Sequence, residues 1–177
     1  RLAYGLMMKQ GEKLIFSPCR DRSYALVEDV SNDGALLRGL RLVGLEQGKK
    51  LYVELLGVTD GVALKASALN LARTDGRCQQ PGGAEEAWQA AGQDWALAAG
   101  GEQVLLKQDG QADLSFPYRE FTRTGTQASY QGSAAGQELS LQLENTLCHD
   151  PAANTVLGWR LQITLNGKTR EGCAWQR

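Results

Sequence analysis

Residues that commonly act as catalysts are scarce in this chain of 177 residues. Its single histidine, His149, is followed directly by Asp150, and no Gly-x-Ser-x-Gly sequence supplies a serine nucleophile for a Ser-His-Asp arrangement. The adjacent carboxylate pairs Glu28-Asp29 and Glu85-Glu86 accompany no nucleophile, whereas a glycosidase needs two carboxyl groups that face each other across a groove. We therefore interpret His149 as a loop residue and the carboxylate pairs as solvated surface. The sequence predicts no enzyme activity.

Metal ions and cofactors have no recognisable site in the sequence. A transition-metal site needs several imidazole or thiolate ligands, and one histidine does not supply them. The Asp-Gly steps at Asp60-Gly61 and Asp109-Gly110 lack the alternating acidic residues of a calcium loop, and no Gly-x-Gly-x-x-Gly or Walker sequence is present. We predict neither a metal nor a cofactor.

The four cysteines are the strongest signal in the chain. Cys19, Cys78, Cys148 and Cys173 are too widely spaced for a C-x-x-C motif, and their even number favours two disulfide bonds formed in an oxidising compartment. Four cysteines allow three pairings. The pairing of neighbours, Cys19 with Cys78 and Cys148 with Cys173, closes two loops that do not overlap, and we predict this pairing. The alternative is four buried thiols in a cytosolic protein.

Charge and aromatic residues argue against nucleic acid as a partner. Nineteen basic and twenty acidic residues give a net charge of −1, which attracts neither nucleic acid nor anionic lipid. The aromatic side chains Tyr4, Phe16, Tyr24 and Tyr52 lie in apolar strand contexts, so we expect them in a core and not on a stacking surface. No run of about 18 apolar residues predicts a membrane-spanning helix.

One short segment is a candidate for a contact with a partner. If residues 118–123 were extended, Arg119, Phe121 and Arg123 would share one face, because alternate residues of a strand point the same way. Such a face suits an anionic or protein partner. The alternative interpretation is an ordinary strand end followed by a loop.

The first 78 residues read as five strands with one helix. Leu36, Leu40 and Val43 have helical spacing and follow Ser31-Asn32-Asp33, three residue types that favour a helix start. A helix inserted after the third strand is compatible with a small barrel of the OB type. The predicted strands are Leu2–Met8, Lys13–Phe16, Ser23–Val27, Leu51–Val58 and Val62–Leu71.

The second half is predicted to be an antiparallel β-barrel or sandwich. Leu139, Leu141 and Leu143 alternate with polar residues, which is typical of a strand with one buried face. The polar, turn-rich stretch Gln79–Gly83 is typical of a linker and predicts two domains, residues 1–78 and 84–177. The predicted strands are Trp95–Ala98, Gln103–Lys107, Ala112–Tyr118, Gln127–Gln131, Leu139–Glu144, Arg160–Leu165 and Thr169–Cys173. The predicted fold class is therefore all-β.

Two stretches resemble bacterial envelope lipoproteins. Tyr4-Gly5-Leu6 through Phe16-Ser17-Pro18-Cys19, with the strand Leu51–Gly57, is similar to the OB-like C-terminal domain of the NlpE lipoproteins. In the second half, Trp88–Trp95, Cys148-His149-Asp150 and Leu165–Cys173 are similar to a family of uncharacterised envelope lipoproteins. That family opens with W-x-A-x-G-N-E-P-F-W. The corresponding stretch of this chain, Trp88–Trp95, has Asp94-Trp95 in place of the E-P-F-W residues.

This resemblance implies a compartment and a kind of function. It implies a non-enzymatic protein that faces the periplasm and is anchored in the outer membrane by a lipid attached upstream of Arg1. We expect a binding, stress-sensing or accessory module whose partner is another envelope protein. The alternative is a periplasmic inhibitor or immunity protein of an envelope hydrolase such as lysozyme, because small disulfide-bonded periplasmic β-proteins include such inhibitors.

Overall fold

The computed structural model describes residues 2–20, 22–79 and 87–177. Most of these residues lie in β-strands, which confirms the all-β fold class. The chain folds into two compact units. The first unit contains the described residues up to 79 together with His149–Gly158, and the second contains residues 87–148 and Trp159–Arg177. The predicted linker positions 80–83 and the pair Glu85-Glu86 lie outside the described residues.

The first unit contains a closed five-stranded barrel. Strand β1 pairs with β2 and β4, β2 pairs with β3, and β5 closes the barrel by pairing antiparallel with β4 and parallel with β3. The helix lies between β3 and β4, so the order β1-β2-β3-β5-β4 is that of the predicted OB fold. The elements are β1 (Leu2–Gln10), β2 (Lys13–Pro18), β3 (Ala25–Asp29), α1 (Ala35–Leu42), β4 (Leu51–Asp60) and β5 (Ala63–Arg73).

Side chains at the end of β3 and just after it accept hydrogen bonds from the first turn of the helix. The Ser31 hydroxyl accepts the backbone N–H of Leu36 at 2.9 Å, and the Asp29 carboxylate accepts that of Leu37 at 3.2 Å. These bonds satisfy donors that the first turn of a helix leaves open. Leu36 and Leu40 are fully buried one turn apart, so the helix packs its apolar face into the core of the unit.

A short hairpin from late in the chain completes the first unit. It consists of β13 (Cys148–Asp150) and β14 (Thr155–Leu157), and β14 pairs antiparallel with β5, with Val156 opposite Ala72. Gly158 follows, and a Cβ atom at its position would lie 2.2 Å from the carbonyl oxygen of Leu69. The division of the chain into residues 1–78 and 84–177 assigns His149–Gly158 to the second half, whereas the contacts group them with the first unit.

The second unit is a curled antiparallel sheet. Its strands lie in the order β10-β11-β12-β15-β16-β6-β7-β8-β9, and each neighbouring pair is antiparallel. The hydroxyl of Tyr130 on β11 donates to the carbonyl of Pro117 at the end of β9, at 2.6 Å, so the sheet curls back on itself. Its strands are β6 (Trp88–Gly92), β7 (Trp95–Gly100), β8 (Gln103–Gln108), β9 (Leu114–Pro117), β10 (Thr122–Thr124), β11 (Gln127–Ala134), β12 (Gln137–Glu144), β15 (Trp159–Leu165) and β16 (Lys168–Gln176).

Aromatic and leucine side chains fill the inside of this curled sheet. Trp88 and Trp159 meet edge to face with ring centroids 4.9 Å apart, and both are buried. Leu139, Leu141 and Leu143 of β12 point into the same core, as their alternation predicts.

Both predicted disulfide bonds are present. Cys19 is bonded to Cys78 and Cys148 to Cys173, over sequence separations of 59 and 25 residues. In the chain-entropy model, loops of these lengths stabilise the folded state by about 4 and about 3.5 kcal/mol. The bonds are compatible with a protein that resides outside the cytoplasm. None of the helices in the described residues is long and apolar enough to cross a membrane.

We predict that Val156→Ala destabilises the first unit, although Val156 lies far along the chain from β5. The fully buried Val156 side chain packs where β14 pairs with β5, and its truncation should lower the free energy of unfolding by about 1–3 kcal/mol. Native-state hydrogen exchange at the amide of Ala72 measures this effect. The control is Thr164→Ala at a half-buried position of β15 in the second unit, which should leave the protection of Ala72 unchanged. Unchanged protection of Ala72 in the Val156→Ala variant would contradict the prediction.

Candidate functional site

The residues considered first as catalysts do not converge. His149 lies exposed in β13, and the carboxylate of Asp150 accepts the backbone N–H of Ala153 at 3.4 Å, which fixes the turn of the hairpin. Within the described ranges, no group of three or more His, Cys, Asp or Glu side chains could hold a metal ion.

The structure does not bring Arg119, Phe121 and Arg123 to one exposed face. Residues 118–121 lie between β9 and β10 outside any strand, and the side chain of Phe121 is only 6% exposed. Its ring stacks on Trp88 at 5.5 Å and contacts Tyr130 at 5.4 Å. An aromatic ring is stabilised by such burial, so Phe121 belongs to the core of the second unit and not to a surface for a partner.

The two arginines remain exposed and have separate surroundings. The guanidinium carbon of Arg123 lies 5.2 Å from the ring centre of Trp88 and 5.7 Å from that of Trp159, so its charge covers both rings. Arg119 lines a polar cleft of about 520 Å³ on another part of the unit. Burial raises the pKa of the Tyr130 hydroxyl, and the positive charge of Arg119 opposes that rise.

A buried polar network lies on β4 and β5 of the first unit. The carboxylate of Glu54 accepts the Tyr52 hydroxyl at 2.9 Å and the Asn70 side-chain amide at 3.0 Å. Burial, followed by the charge of Glu54, raises the pKa of the Tyr52 hydroxyl, while Arg73 stacks over the Tyr52 ring at 5.5 Å and opposes this rise. The network ties the two strands together. The only sequence signal for it is an acidic residue inside an apolar run.

Four of the six exposed large apolar side chains in the described part of the first unit lie near β3 and the turn between β4 and β5. We call Tyr24, Leu26, Val58 and Val62 the outer patch. Tyr24 is 70% and Val62 is 78% exposed. The backbone N–H of Leu26 donates to the carbonyl of Val62 at 3.0 Å, so the strand and the turn are adjacent. The prediction that Tyr24 lies in a core is wrong, whereas Phe16 and Tyr52 are buried as predicted and Tyr4 is half-buried.

The outer patch lies where OB folds bind their ligands. Leu26 stands between Ile15 of β2 and Ala63 of β5, on the outer surface of the barrel. OB folds use the face of their second and third strands and the loop between the fourth and fifth. Charges of both signs border the patch: Asp60 and Lys65 pair at 3.4 Å, Glu28 shares the outward face of β3 with Leu26, and Arg22 lies two residues before Tyr24. Neither sign of charge dominates there. Chemically, the patch offers aliphatic surface and one phenol.

We predict that ionisation of the Tyr52 hydroxyl destabilises the folded protein at alkaline pH. Because the folded-state pKa of Tyr52 is raised above its unfolded value of about 10, its contribution is complete below about pH 10 and is lost as the pH rises further. Urea unfolding between about pH 8 and about pH 11 should show a steeper fall in stability for the native chain than for Tyr52→Phe. Equal slopes would show that this hydroxyl does not set the alkaline limit.

We predict that Arg123→Ala weakens the second unit by about 1 kcal/mol, because the tryptophan rings lose their cationic cover. Arg123→Lys should retain part of this stability. Urea unfolding followed by tryptophan fluorescence measures both variants, with the exposed Arg160→Ala as a control. An Arg123→Ala variant as stable as the native chain would contradict the role of this guanidinium.

Comparison of the chain with protein-family models, with curated proteins and with solved structures found no match. The resemblance to envelope lipoproteins therefore stays a prediction. It rests on Tyr4-Gly5-Leu6, Phe16-Ser17-Pro18-Cys19 and the motifs of the second half. The function has to be argued from the outer patch and its surroundings.

Proposed function

We propose that this protein is a non-enzymatic binding module of the bacterial cell envelope that recognises another envelope protein through the outer patch. The observation that carries the proposal is the exposure of Tyr24, Leu26, Val58 and Val62 on the ligand-binding side of an OB barrel. Contiguous exposed apolar surface is characteristic of sites that bind other molecules.

The chemistry of the outer patch favours a protein over the other ligands of OB folds. Single-stranded nucleic acid binds to aromatic platforms beside basic residues, but here one tyrosine accompanies three aliphatic side chains. The basic residues nearby, Arg22 and Lys65, are matched by the acidic Glu28 and Asp60. Branched aliphatic side chains such as Val58 and Val62 present no flat face to a sugar ring. They do match the apolar centre of a protein–protein interface, in which a tyrosine is a common anchor.

The compartment is part of the proposal. Two disulfide bonds support an oxidising environment, and the resemblance to envelope lipoproteins supports the periplasm and an outer-membrane lipid anchor upstream of Arg1. A full-length precursor with a lipid-modified cysteine upstream of Arg1 would agree with this part of the proposal.

One observation favours inhibition of a hydrolase as a second candidate. Tyr24 lies on the connection between β2 and β3, and Cys19 at the start of this connection is bonded to Cys78. The hydroxyl of Ser17 also donates to the carbonyl of Ser23 at 3.3 Å. An exposed tyrosine on a braced connection has the preorganised character of inhibitor loops, because little ordering entropy remains to be lost on binding.

The experiment compares two matched double variants of the full chain. Tyr24→Ser with Val62→Ser alters the outer patch, and Arg41→Ser with Leu42→Ser alters two exposed side chains of α1 in the same unit. Each protein captures partners from an envelope extract, and the partner that depends on the outer patch is then purified and titrated by calorimetry. We expect the patch variant to bind at least about tenfold more weakly, a loss of about 1.4 kcal/mol, and the control to bind normally.

The outcomes separate the candidates. A purified partner that is a hydrolase and loses activity on binding supports inhibition, and a partner without such activity supports an accessory module. If no partner is captured, or if both double variants bind it equally, the outer patch is not the recognition surface and the proposal is wrong.

A further inference from the structure

The outward face of the second unit carries a shallow trough on strands β16, β6, β7 and β8. Its volume is about 190 Å³. In the antiparallel pairing of these strands, the side chains of the outward face form two rows that run across the strands. The first row is Trp175, Gln89, Ala98 and Leu105, and the second is Cys173, Ala91, Ala96 and Lys107. The centre of the trough is therefore floored by alanines and bounded by larger side chains.

Trp175 forms one wall and differs from the other tryptophans of the chain. Trp88, Trp95 and Trp159 are buried in the core of the second unit. Trp175 is only half-buried on the outward side of β16, and among the described residues its ring has no aromatic or cationic neighbour. Part of a flat, amphipathic ring is thus open to the trough.

The alanine floor keeps the space beside this ring free. Ala91, Ala96 and Ala98 are all exposed, although alanine is disfavoured in strands relative to larger residues. A longer side chain at any of these positions would project into the trough.

Two polar side chains face the same space without partners of their own. Gln89 lies directly opposite Trp175 in register, and Lys107 lies opposite Ala96. In the described part of the chain, neither side chain forms a hydrogen bond or an ion pair. A concave, largely apolar surface with a few convergent polar groups is typical of a small-ligand site. With about 190 Å³, the trough is smaller than the roughly 300–1,000 Å³ of pockets for drug-sized ligands and suits a ligand of a single ring.

The backbone excludes an extended peptide as the occupant. Strands β16, β6 and β7 are each hydrogen-bonded on both sides, and so is β8, which pairs with β7 and β9. The floor therefore offers no free N–H or C=O groups, and the backbone of a peptide lying on it would lose its hydrogen bonds to water. Lys107 as the single lysine in the trough does not suit a polyanion such as nucleic acid.

We infer that the trough binds a pyranose ring of an oligosaccharide. A pyranose has an apolar C–H face, which would lie against the ring of Trp175, and polar hydroxyl edges, which Gln89 and Lys107 would reach as hydrogen-bonding groups. This site lies in the second unit and does not depend on the outer patch or its partner.

The experiment is a titration of the full, oxidised chain with three trisaccharides, namely triacetylchitotriose, cellotriose and maltotriose. Proton–nitrogen spectra resolve the indole N–H signals of the four tryptophans. We expect at least one sugar to shift the signal of Trp175 saturably, at concentrations up to roughly 10 mM, while the three core tryptophans remain unshifted. No saturable shift with any of the three sugars overturns the inference.

Variants separate the trough from the rest of the sheet. Ala98→Leu fills the floor at an exposed strand position without removing Trp175, and it should reduce sugar affinity at least tenfold while the protein stays folded. Gln89→Ala should weaken binding, whereas Gln162→Ala, an exposed glutamine on β15 outside the trough, should not. Undiminished binding by Ala98→Leu would place the sugar elsewhere and overturn the assignment.

Discussion

The first unit depends on how the two sides of β5 are hydrogen-bonded. One side pairs with β4 over nearly its full length, from Ala63 to Arg73. The other side is shared, because the short β3 covers only Ala63 to Ala66 and leaves the later part of the strand open. The hairpin strand β14 occupies that part, from Leu71 to Arg73. An open strand edge favours pairing with other chains, so closing it with a segment of the same chain protects the barrel.

Sequence patterns predicted those parts of the fold in which neighbours along the chain determine the structure. The alternation of Leu139, Leu141 and Leu143 identified β12, and the helical spacing of the leucines up to Val43 identified α1. Strand β14 was missed because its three residues are too few to show any period and its partner lies about 80 residues away, where only tertiary packing decides. The small number of residues also explains why β13 and β10, of three residues each, were missed. Strand β6 (Trp88–Gly92) was missed although its partner β7 follows directly along the chain.

The candidate site was harder to predict than the fold, since a strand pattern does not reveal which of two faces is covered. Tyr24 looked like a core residue because its neighbours are apolar, but it lies where the outer surface of the barrel is open. Phe121 shows the converse error: its charged neighbours predicted an exposed face, whereas the aromatic core accommodates its ring. Trp175 lies just beyond the predicted end of its strand at Cys173, so no pattern assigned it a side.

The anchoring of the hairpin formed by β13 and β14 has a kinetic consequence. Cys148, the first residue of β13, is bonded to Cys173, and Trp159, two residues after β14, pairs with Ala174, so both ends are fixed to adjacent residues of β16. If β14 separates from β5, it remains tethered, and its effective concentration at the vacated edge stays near the millimolar range of short linkers. Reassociation is then unimolecular and outcompetes strands of other molecules at ordinary protein concentrations. The second disulfide bond closes the loop that carries β14, and so shortens the span of free chain from which β14 has to return to β5.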